Sequence, residues 1–288
     1  MCCSAVTLSL ATITAVLGLL CLTVAFGTDS WMEIRVNRTL VRGTLQKDSE
    51  EYRSFETQME YFSRDVGLLR VCFPEKRPKT MTTYMSPLQT DCVNINYYIP
   101  EDEVSDQFSE QRWERLHMAR TCVALFIVSF IFSFFSFLTG FVGCWKRSYS
   151  NIIATGLLQI LVALIAGGAM GLWHGVEYYD YKKLHDNLSY YAWPSILRRP
   201  GVTLFYYGWS YMLAWVGVAF SFLTGVLFLG SSHCLRREKD DEQAKNMQYL
   251  MPVYPDKRQP YAGYGYAAYP GPYPPYHPGS QYSTPYGY

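Results

Sequence analysis

The chain has 288 residues, and its 25 Lys and Arg against 24 Asp and Glu give a formal net charge of +1. This balance excludes a nucleic-acid-binding protein that relies on bulk positive charge. Its eight cysteines are too few for a small disulfide scaffold.

Four long stretches carry no charged residue: residues 5–26, 121–145, 152–173 and 204–230. A helix needs about 20 apolar residues to cross the hydrocarbon core of a bilayer. We therefore predict four membrane-spanning helices. A cleaved signal peptide is the alternative for the first stretch, but Met1-Cys2-Cys3-Ser4 lacks the basic residues that precede such a peptide's apolar core.

Four spans place both ends of the chain on one side of the membrane, so residues 32–120 and 174–203 form two loops on the other side. The sequons Asn37-Arg38-Thr39 and Asn187-Leu188-Ser189 fall one in each loop. This placement predicts that the loops face outward and that Asn37 and Asn187 are glycosylation sites. We expect a four-span domain over residues 1–230, followed by a cytoplasmic tail over 231–288.

The first outer loop holds Cys72 and Cys92, which are the only cysteines of the two loops. An oxidising exterior favours a disulfide between them, whereas two free thiols are the alternative. The residues around each cysteine alternate with period two, which predicts a hairpin with a cross-strand disulfide. Residues 101–118 are predicted to form a helix that leads into the second span.

The second outer loop is rich in tyrosine. Exposed aromatic residues at this density are typical of an interaction surface or of an aromatic belt at the membrane interface, and the sequence leaves both interpretations open. The residues concerned are Tyr178, Tyr179, Tyr181, Tyr190 and Tyr191.

Several cysteines lie at the predicted cytoplasmic edge of the membrane. Juxtamembrane cysteines are candidates for S-palmitoylation, and unmodified thiols are the alternative. They are Cys2, Cys3, Cys144 and Cys234.

Small residues recur every fourth position along three spans, and such columns let helices approach closely in lipid. Packing within one bundle is one interpretation, and contact with a partner's helix is the other. The columns are Ser136, Gly140 and Cys144; Ala163, Gly167 and Gly171; and Gly217, Ser221 and Gly225. Since none of the four stretches contains an ionisable Asp, Glu, Lys, Arg or His, an ion or proton pathway is disfavoured.

The tail opens with a charged run, residues 236–242, which we predict to extend the fourth helix. From Tyr249 onward it is rich in Tyr and Pro, a composition that predicts disorder. Pro272 and Pro275 have the spacing that SH3 domains bind, and the carboxylate of Tyr288 could dock in a PDZ groove. An inert spacer is the alternative.

The sequence contains no nucleophile elbow, zinc-protease motif or phosphate-binding glycine loop, and its five histidines share no helical spacing. We therefore predict a non-enzymatic protein with no cofactor, no metal and no nucleic-acid partner.

Several motifs occur together in a specific order. Trp31 follows the first span, Gly67-Leu68-Leu69-Arg70-Val71-Cys72 precedes Cys92, and Tyr207-Gly208-Trp209-Ser210 opens the fourth span. This set resembles the claudin and peripheral myelin protein superfamily, and is most similar to the branch with calcium-channel gamma subunits and claudin-domain-containing proteins. Leu69 departs from the family pattern, which has Trp there. The resemblance implies a membrane protein of mainly α class, a left-handed four-helix bundle with a small extracellular antiparallel sheet that carries the disulfide.

Three functions follow as hypotheses for a multi-pass plasma-membrane protein at cell junctions or synapses. The first is an auxiliary subunit of an ion channel or neurotransmitter receptor. The second is a cell–cell adhesion or junction protein. The third, compatible with both, is a scaffold whose tail recruits SH3, PDZ or actin-linked adaptors.

Overall fold

The computed structural model describes residues 3–46, 49–98, 110–183, 190 and 193–250. The α-helices of this part are α1 (Cys3–Gly27), α2 (Arg38–Thr44), α3 (Glu50–Thr57), α4 (Glu110–Lys146), α5 (Tyr149–Tyr178) and α6 (Trp209–Leu250); a short 3-10 helix (Met59–Tyr61) and a π-helical turn (Tyr179–Lys183) complete them. Of these, α1, α4, α5 and α6 are long and apolar enough to cross a membrane. The prediction of four spans is therefore confirmed.

The four long helices pack through small and hydroxylated residues. Gly156 of α5 and Gly225 of α6 approach so closely that a Cβ on either would lie about 3 Å from the carbonyl oxygen of the other. Thr14 of α1 receives a hydrogen bond of 2.9 Å from Thr224 of α6. Between α4 and α5, the Cys122 thiol donates to the Ala169 carbonyl at 3.2 Å. Apolar side chains gain little from contacting one another in lipid, so close packing and hydrogen bonds of this kind hold the helices together.

A six-stranded antiparallel sheet lies at one end of the bundle. Its strands are β1 (Met32–Val36), β2 (Arg64–Val66), β3 (Arg70–Phe73), β4 (Tyr84–Met85), β5 (Asp91–Asn94) and β6 (Thr203–Tyr207), in the order β4-β5-β3-β2-β1-β6. The predicted hairpin is confirmed, because β3 pairs with β5 and places Cys72 opposite Cys92.

The two faces of the sheet differ in character, because side chains alternate along each strand. The inner face carries Met32, Ile34, Val66, Val71 and Phe205, which belong to or pack against an apolar core. The outer face carries Glu33, Arg35, Asp65 and Tyr206, and Arg35 forms ion pairs of 2.9 Å with both acids.

The fourth span begins later than predicted. We placed its start at Leu204, but residues Thr203–Tyr207 form β6 and the helix begins at Trp209. Apolar aromatic residues suit a strand as well as a membrane helix, and pairing with β1, far away in sequence, decides the outcome. At its other end α6 continues through Arg236 to Glu242, as predicted, because this run consists largely of strong helix formers. The first of two compact units extends from Met1 to Ala244.

The predicted helix over residues 101–118 lies partly outside the described residues. Its described part, from Glu110, forms the start of α4, which confirms that this segment leads into the second span.

Candidate functional site

The indole of Trp31 joins the sheet to the bundle. Its side chain is fully buried, and its ring makes edge-on contacts with Phe126 of α4, Trp173 of α5 and Tyr211 of α6 at centroid distances of 5.3–6.5 Å. Its Nε1 donates a 2.7 Å hydrogen bond to the carbonyl of Ala25 at the end of α1. One side chain thus contacts all four long helices.

Two glycines allow close backbone contacts at this joint between the sheet and the bundle. The Gly208 amide donates to the Trp31 carbonyl at 2.9 Å, and a Cβ on Gly208 would overlap the carbonyl oxygen of Ser30. A Cβ on Gly67 would lie 2.8 Å from the Cα of Asp29. Since both neighbours are backbone atoms, neither position has room for a side chain.

Polar contacts complete the joint. Arg70 forms an ion pair with the buried Asp29 and donates from Nη2 to the Gly27 carbonyl at 2.9 Å. The hydrogen bond to Asp29 raises the pKa of Arg70. The hydroxyls of Thr28 and Ser210 lie 2.8 Å apart, and Leu68 is buried in the apolar core of the bundle. One structural joint therefore contains six of the motif residues: Trp31, Gly67, Leu68, Arg70, Gly208 and Ser210.

The remaining motif residues lie nearer the surface. The Tyr207 hydroxyl donates to Glu177 at 3.0 Å, and burial, followed by this contact, raises its pKa to about 12. Trp209 is 50% exposed, and Leu69, where the family pattern has Trp, is 41% exposed. None of the three closes the joint around Trp31.

Cys72 and Cys92 form the predicted disulfide across β3 and β5. Their sulfur atoms and the carboxylate of Asp29 lie within 4.8 Å of one another. Because the two sulfurs are bonded to each other, neither is a thiolate that could bind a metal. This cluster is therefore structural.

The small-residue columns differ in what they face. In α6, a Cβ on Gly217 would lie 2.7 Å from Leu22, and Ser221 is buried against α1. In α4, the Ser136 hydroxyl donates to the Thr155 carbonyl of α5. In α5, Gly167 has ordinary contact with Val218, whereas an added Cβ on Gly171 would meet nothing within 4 Å. Most of the column residues, Gly225 among them, thus pack within the bundle.

The tyrosines of the second loop are divided between core and surface. Tyr181 packs edge-on against Phe205 at 4.9 Å and its hydroxyl donates to the Met32 sulfur, while Tyr190 packs on Trp193 at 5.4 Å. Tyr178 is exposed. Tyr181 and Tyr190 are therefore half-buried against the apolar core under the sheet, and the interaction-surface and membrane-belt interpretations both stay predictions.

The predicted modification and tail sites are only partly described. Asn37 is exposed and its Oδ1 accepts from the Leu40 amide, which caps α2. Cys144 and Cys234 are half-buried. Cys3 begins α1. Outside the described residues lie Cys2, Asn187, Tyr191, Pro272, Pro275 and Tyr288.

A cavity of about 500 Å³ lies between the inner face of the sheet and the adjoining ends of α4 and α5. Its wall includes Arg64 of β2, whose side chain is buried and whose Nη1 donates to the carbonyls of Met59 and Phe62. The guanidinium lies 5.0 Å from the ring of Trp193, and burial lowers the pKa of Arg64 to about 10. Sequence reasoning missed Arg64, since the pairing of β2 alone turns it inward.

A model of the family described as PMP-22/EMP/MP20/Claudin tight junction matches residues 16–230. The match covers the second half of α1, the apolar parts of α4, α5 and α6, and the whole sheet. Together with the joint around Trp31 and the cross-strand disulfide, it shows that the chain is a multi-pass membrane protein that belongs to the PMP-22/EMP/MP20/Claudin family.

Proposed function

We propose that this protein is a non-enzymatic auxiliary subunit that binds an ion channel or neurotransmitter receptor sideways in the plasma membrane. The similarity of Tyr207-Gly208-Trp209-Ser210 to calcium-channel gamma subunits supports this branch of the family. The proposal places the sheet outside the cell, which agrees with its disulfide and with the exposed Asn37. Synapses and cell junctions are the expected locations.

The observation that carries the proposal is the edge strand β6. It pairs on one side only, with β1, and no described strand occupies its other edge, which we call the open edge. Leu204 is 45% and Tyr206 is 53% exposed on its outer face. A strand from a partner could add to this edge through main-chain hydrogen bonds, while these side chains supply apolar contact.

The position of β6 favours a partner in the same membrane. Only Gly208 separates β6 from Trp209, the first residue of α6. The open edge therefore lies next to the start of a membrane helix. A partner that spans the same bilayer can reach it with a short segment, whereas a protein on a facing cell would have to reach down to the membrane surface.

The test is a cross-linked pull-down from native membranes with a Leu204→Lys/Tyr206→Lys double variant. Tyr84→Lys, on the opposite edge strand β4, is the matched control. Channel or receptor subunits should be recovered with the wild type and the control, but at least about tenfold less with the double variant, because two buried lysines would be unpaired in the interface. Equal recovery with all three proteins, at equal surface expression, would contradict the proposal.

A junction or adhesion role is the alternative, and the opposite end of the sheet favours it. Met85 of β4 is 67% and Leu88 is 60% exposed, at the edge farthest from β6 in the strand order. Cells that express the protein should then enrich it where they touch one another, and Met85→Lys should abolish that enrichment. An even surface distribution of the wild type would count against adhesion.

We propose further that the tail recruits cytoplasmic adaptors with SH3 or PDZ domains or links to actin. Its Pro272-x-x-Pro275 spacing, which SH3 domains bind, supports this role. A chain truncated after Lys245 should keep its surface expression and its membrane partners but lose these adaptors. Adaptor recovery that survives the truncation would remove the tail from the proposal.

A further inference from the structure

The charged groups around the cavity under the sheet are unequally paired. Asp180 receives two hydrogen bonds from Arg115, at 2.5 and 2.8 Å. Glu177 accepts from Tyr207 at 3.0 Å and lies 3.2 Å from His174. Both carboxylates that line the cavity thus have a partner on the chain.

Arg64 has no such contact within the described residues, although the negative charge of Glu60 opposes the lowering of its pKa. It forms no ion pair with any carboxylate of the described residues, and its only hydrogen bonds there use Nη1. Its Nε and Nη2, the edge that binds carboxylate or phosphate in a fork, donate to no described group. A buried guanidinium that no carboxylate contacts carries a large desolvation cost. Within the described residues, the cavity wall therefore presents a guanidinium edge that no carboxylate contacts.

A second polar group at the cavity is also unsatisfied. The Nε1 of Trp173 is buried and has no hydrogen-bond partner, and the Trp173 ring lines the same cavity. Buried donors in native proteins are almost always satisfied by protein, water or ligand. The two donors need a group that accepts hydrogen bonds, and Arg64 needs one that is negatively charged.

The wall also has a large apolar part, beside polar residues such as Asn94, Asn96 and Arg112. The apolar part consists of residues on the inner face of the sheet: Met32, Ile34, Val66, Val71 and Val93. The volume of about 500 Å³ falls within the roughly 300–1,000 Å³ of small-molecule sites. Such a wall with a few convergent polar groups matches a ligand that has an apolar body and one acidic group.

We propose that the cavity between the inner face of the sheet and the ends of α4 and α5 binds an acidic amphiphile, whose carboxylate or phosphate pairs with Arg64 while its apolar body packs on the inner face. The site is separate from the open edge of β6, so it can exist whether or not β6 binds a partner. Its ligand could come from the bilayer or from solution, since both sources offer this chemistry.

The test measures equilibrium binding to the full-length protein in nanodiscs, with empty nanodiscs as the blank. Labelled palmitate represents a membrane source and 4-phenylbutyrate a soluble one, while hexadecanol has palmitate's chain without its charge. Saturable binding of either acid, with hexadecanol at least about tenfold weaker than palmitate where palmitate is the ligand, is the expected result. Binding of neither acid, or equal binding of palmitate and hexadecanol without binding of phenylbutyrate, would overturn the proposal.

Arg64→Gln should weaken binding of the acid by about tenfold or more, because it removes the charge-assisted hydrogen bonds. Arg35→Gln is the matched control: Arg35 lies on the neighbouring strand β1, on the outer face of the sheet, and the variant should bind normally. Equal affinity of the two variants would refute the role of Arg64.

If Arg64→Gln does not give a monodisperse protein, the variant Val93→Phe tests the proposal instead. It fills the cavity from β5 without changing Arg64, and should abolish binding of the acid. Full binding by a monodisperse Val93→Phe protein with an intact Cys72–Cys92 disulfide would place the ligand elsewhere and overturn the proposal.

Discussion

Replacing Trp31 with Ala should separate the sheet from the bundle. The substitution removes a fully buried indole, its contacts with three other aromatic rings and its hydrogen bond to the Ala25 carbonyl. Truncation of a buried Phe or Trp to Ala costs about 3–5 kcal/mol. In a domain of this size, each kcal/mol lowers the melting temperature by about 2–4 °C, so we expect a decrease of about 6–20 °C.

The assay is thermal unfolding of the detergent-solubilised protein, followed by fluorescence-detected size exclusion. Trp209→Ala is the control, because Trp209 has the same side chain at the start of α6 but is half exposed. It should lower the melting temperature by only a few degrees. Trp31→Phe should give an intermediate decrease, since it keeps an aromatic ring but loses the hydrogen bond. A Trp31→Ala decrease no larger than that of Trp209→Ala would refute the assignment of Trp31 as the joint.

Three further predictions concern other parts of the fold. Gly225→Val should lower the free energy of unfolding by about 1–3 kcal/mol, because the added Cβ would clash with Ile160 and Gly156. Gly171→Val is the control: space is open at Gly171, so the loss should be under about 0.5 kcal/mol. Melting curves of the two variants measure the difference. Cys72→Ser should destabilise the sheet by about 3 kcal/mol through loss of the cross-link, measured by the same melting assay. Burial raises the pKa of Tyr97 from 10.0 to about 12, so its neutral phenol stabilises the fold below pH 10 and this contribution is lost as the pH rises toward 12. A melting series over that pH range should show a smaller decrease for Tyr97→Phe, and identical decreases would contradict the burial.

Local sequence patterns were enough to predict the four helices and the disulfide hairpin. The helices are visible because a bilayer requires a long uncharged run, and no other structure needs one. The hairpin is visible because alternation around Cys72 and Cys92 reports one-sided burial within about 20 residues of chain. In both cases the signal and the structure it specifies are close together in sequence.

Local patterns failed where distant pairing decides. Leu204–Tyr207 is apolar and adjoins a span, so the sequence predicts membrane helix there, yet the partner strand β1 lies more than 160 residues earlier. Arg64 shows the same limit: a single Arg in a mixed segment is ordinary until β1 and β3 fix which face of β2 it occupies. The sequence shows that small residues recur at every fourth position. Which of these residues face another helix depends on the arrangement of the whole bundle.

The distribution of the motif residues explains why family membership does not name a partner. The joint has no room for a side chain at Gly67 and Gly208, and it is filled by the buried ring of Trp31. Any protein with this sheet on this bundle meets the same constraint. Such residues carry the fold and leave the exposed surface unrestricted. Partner choice must therefore reside in residues that the joint does not use, such as Leu204 and Tyr206 on the open edge. Variants of the joint should lower stability and reduce all functions together, whereas variants of the edge should remove one partner from a protein that remains fully folded.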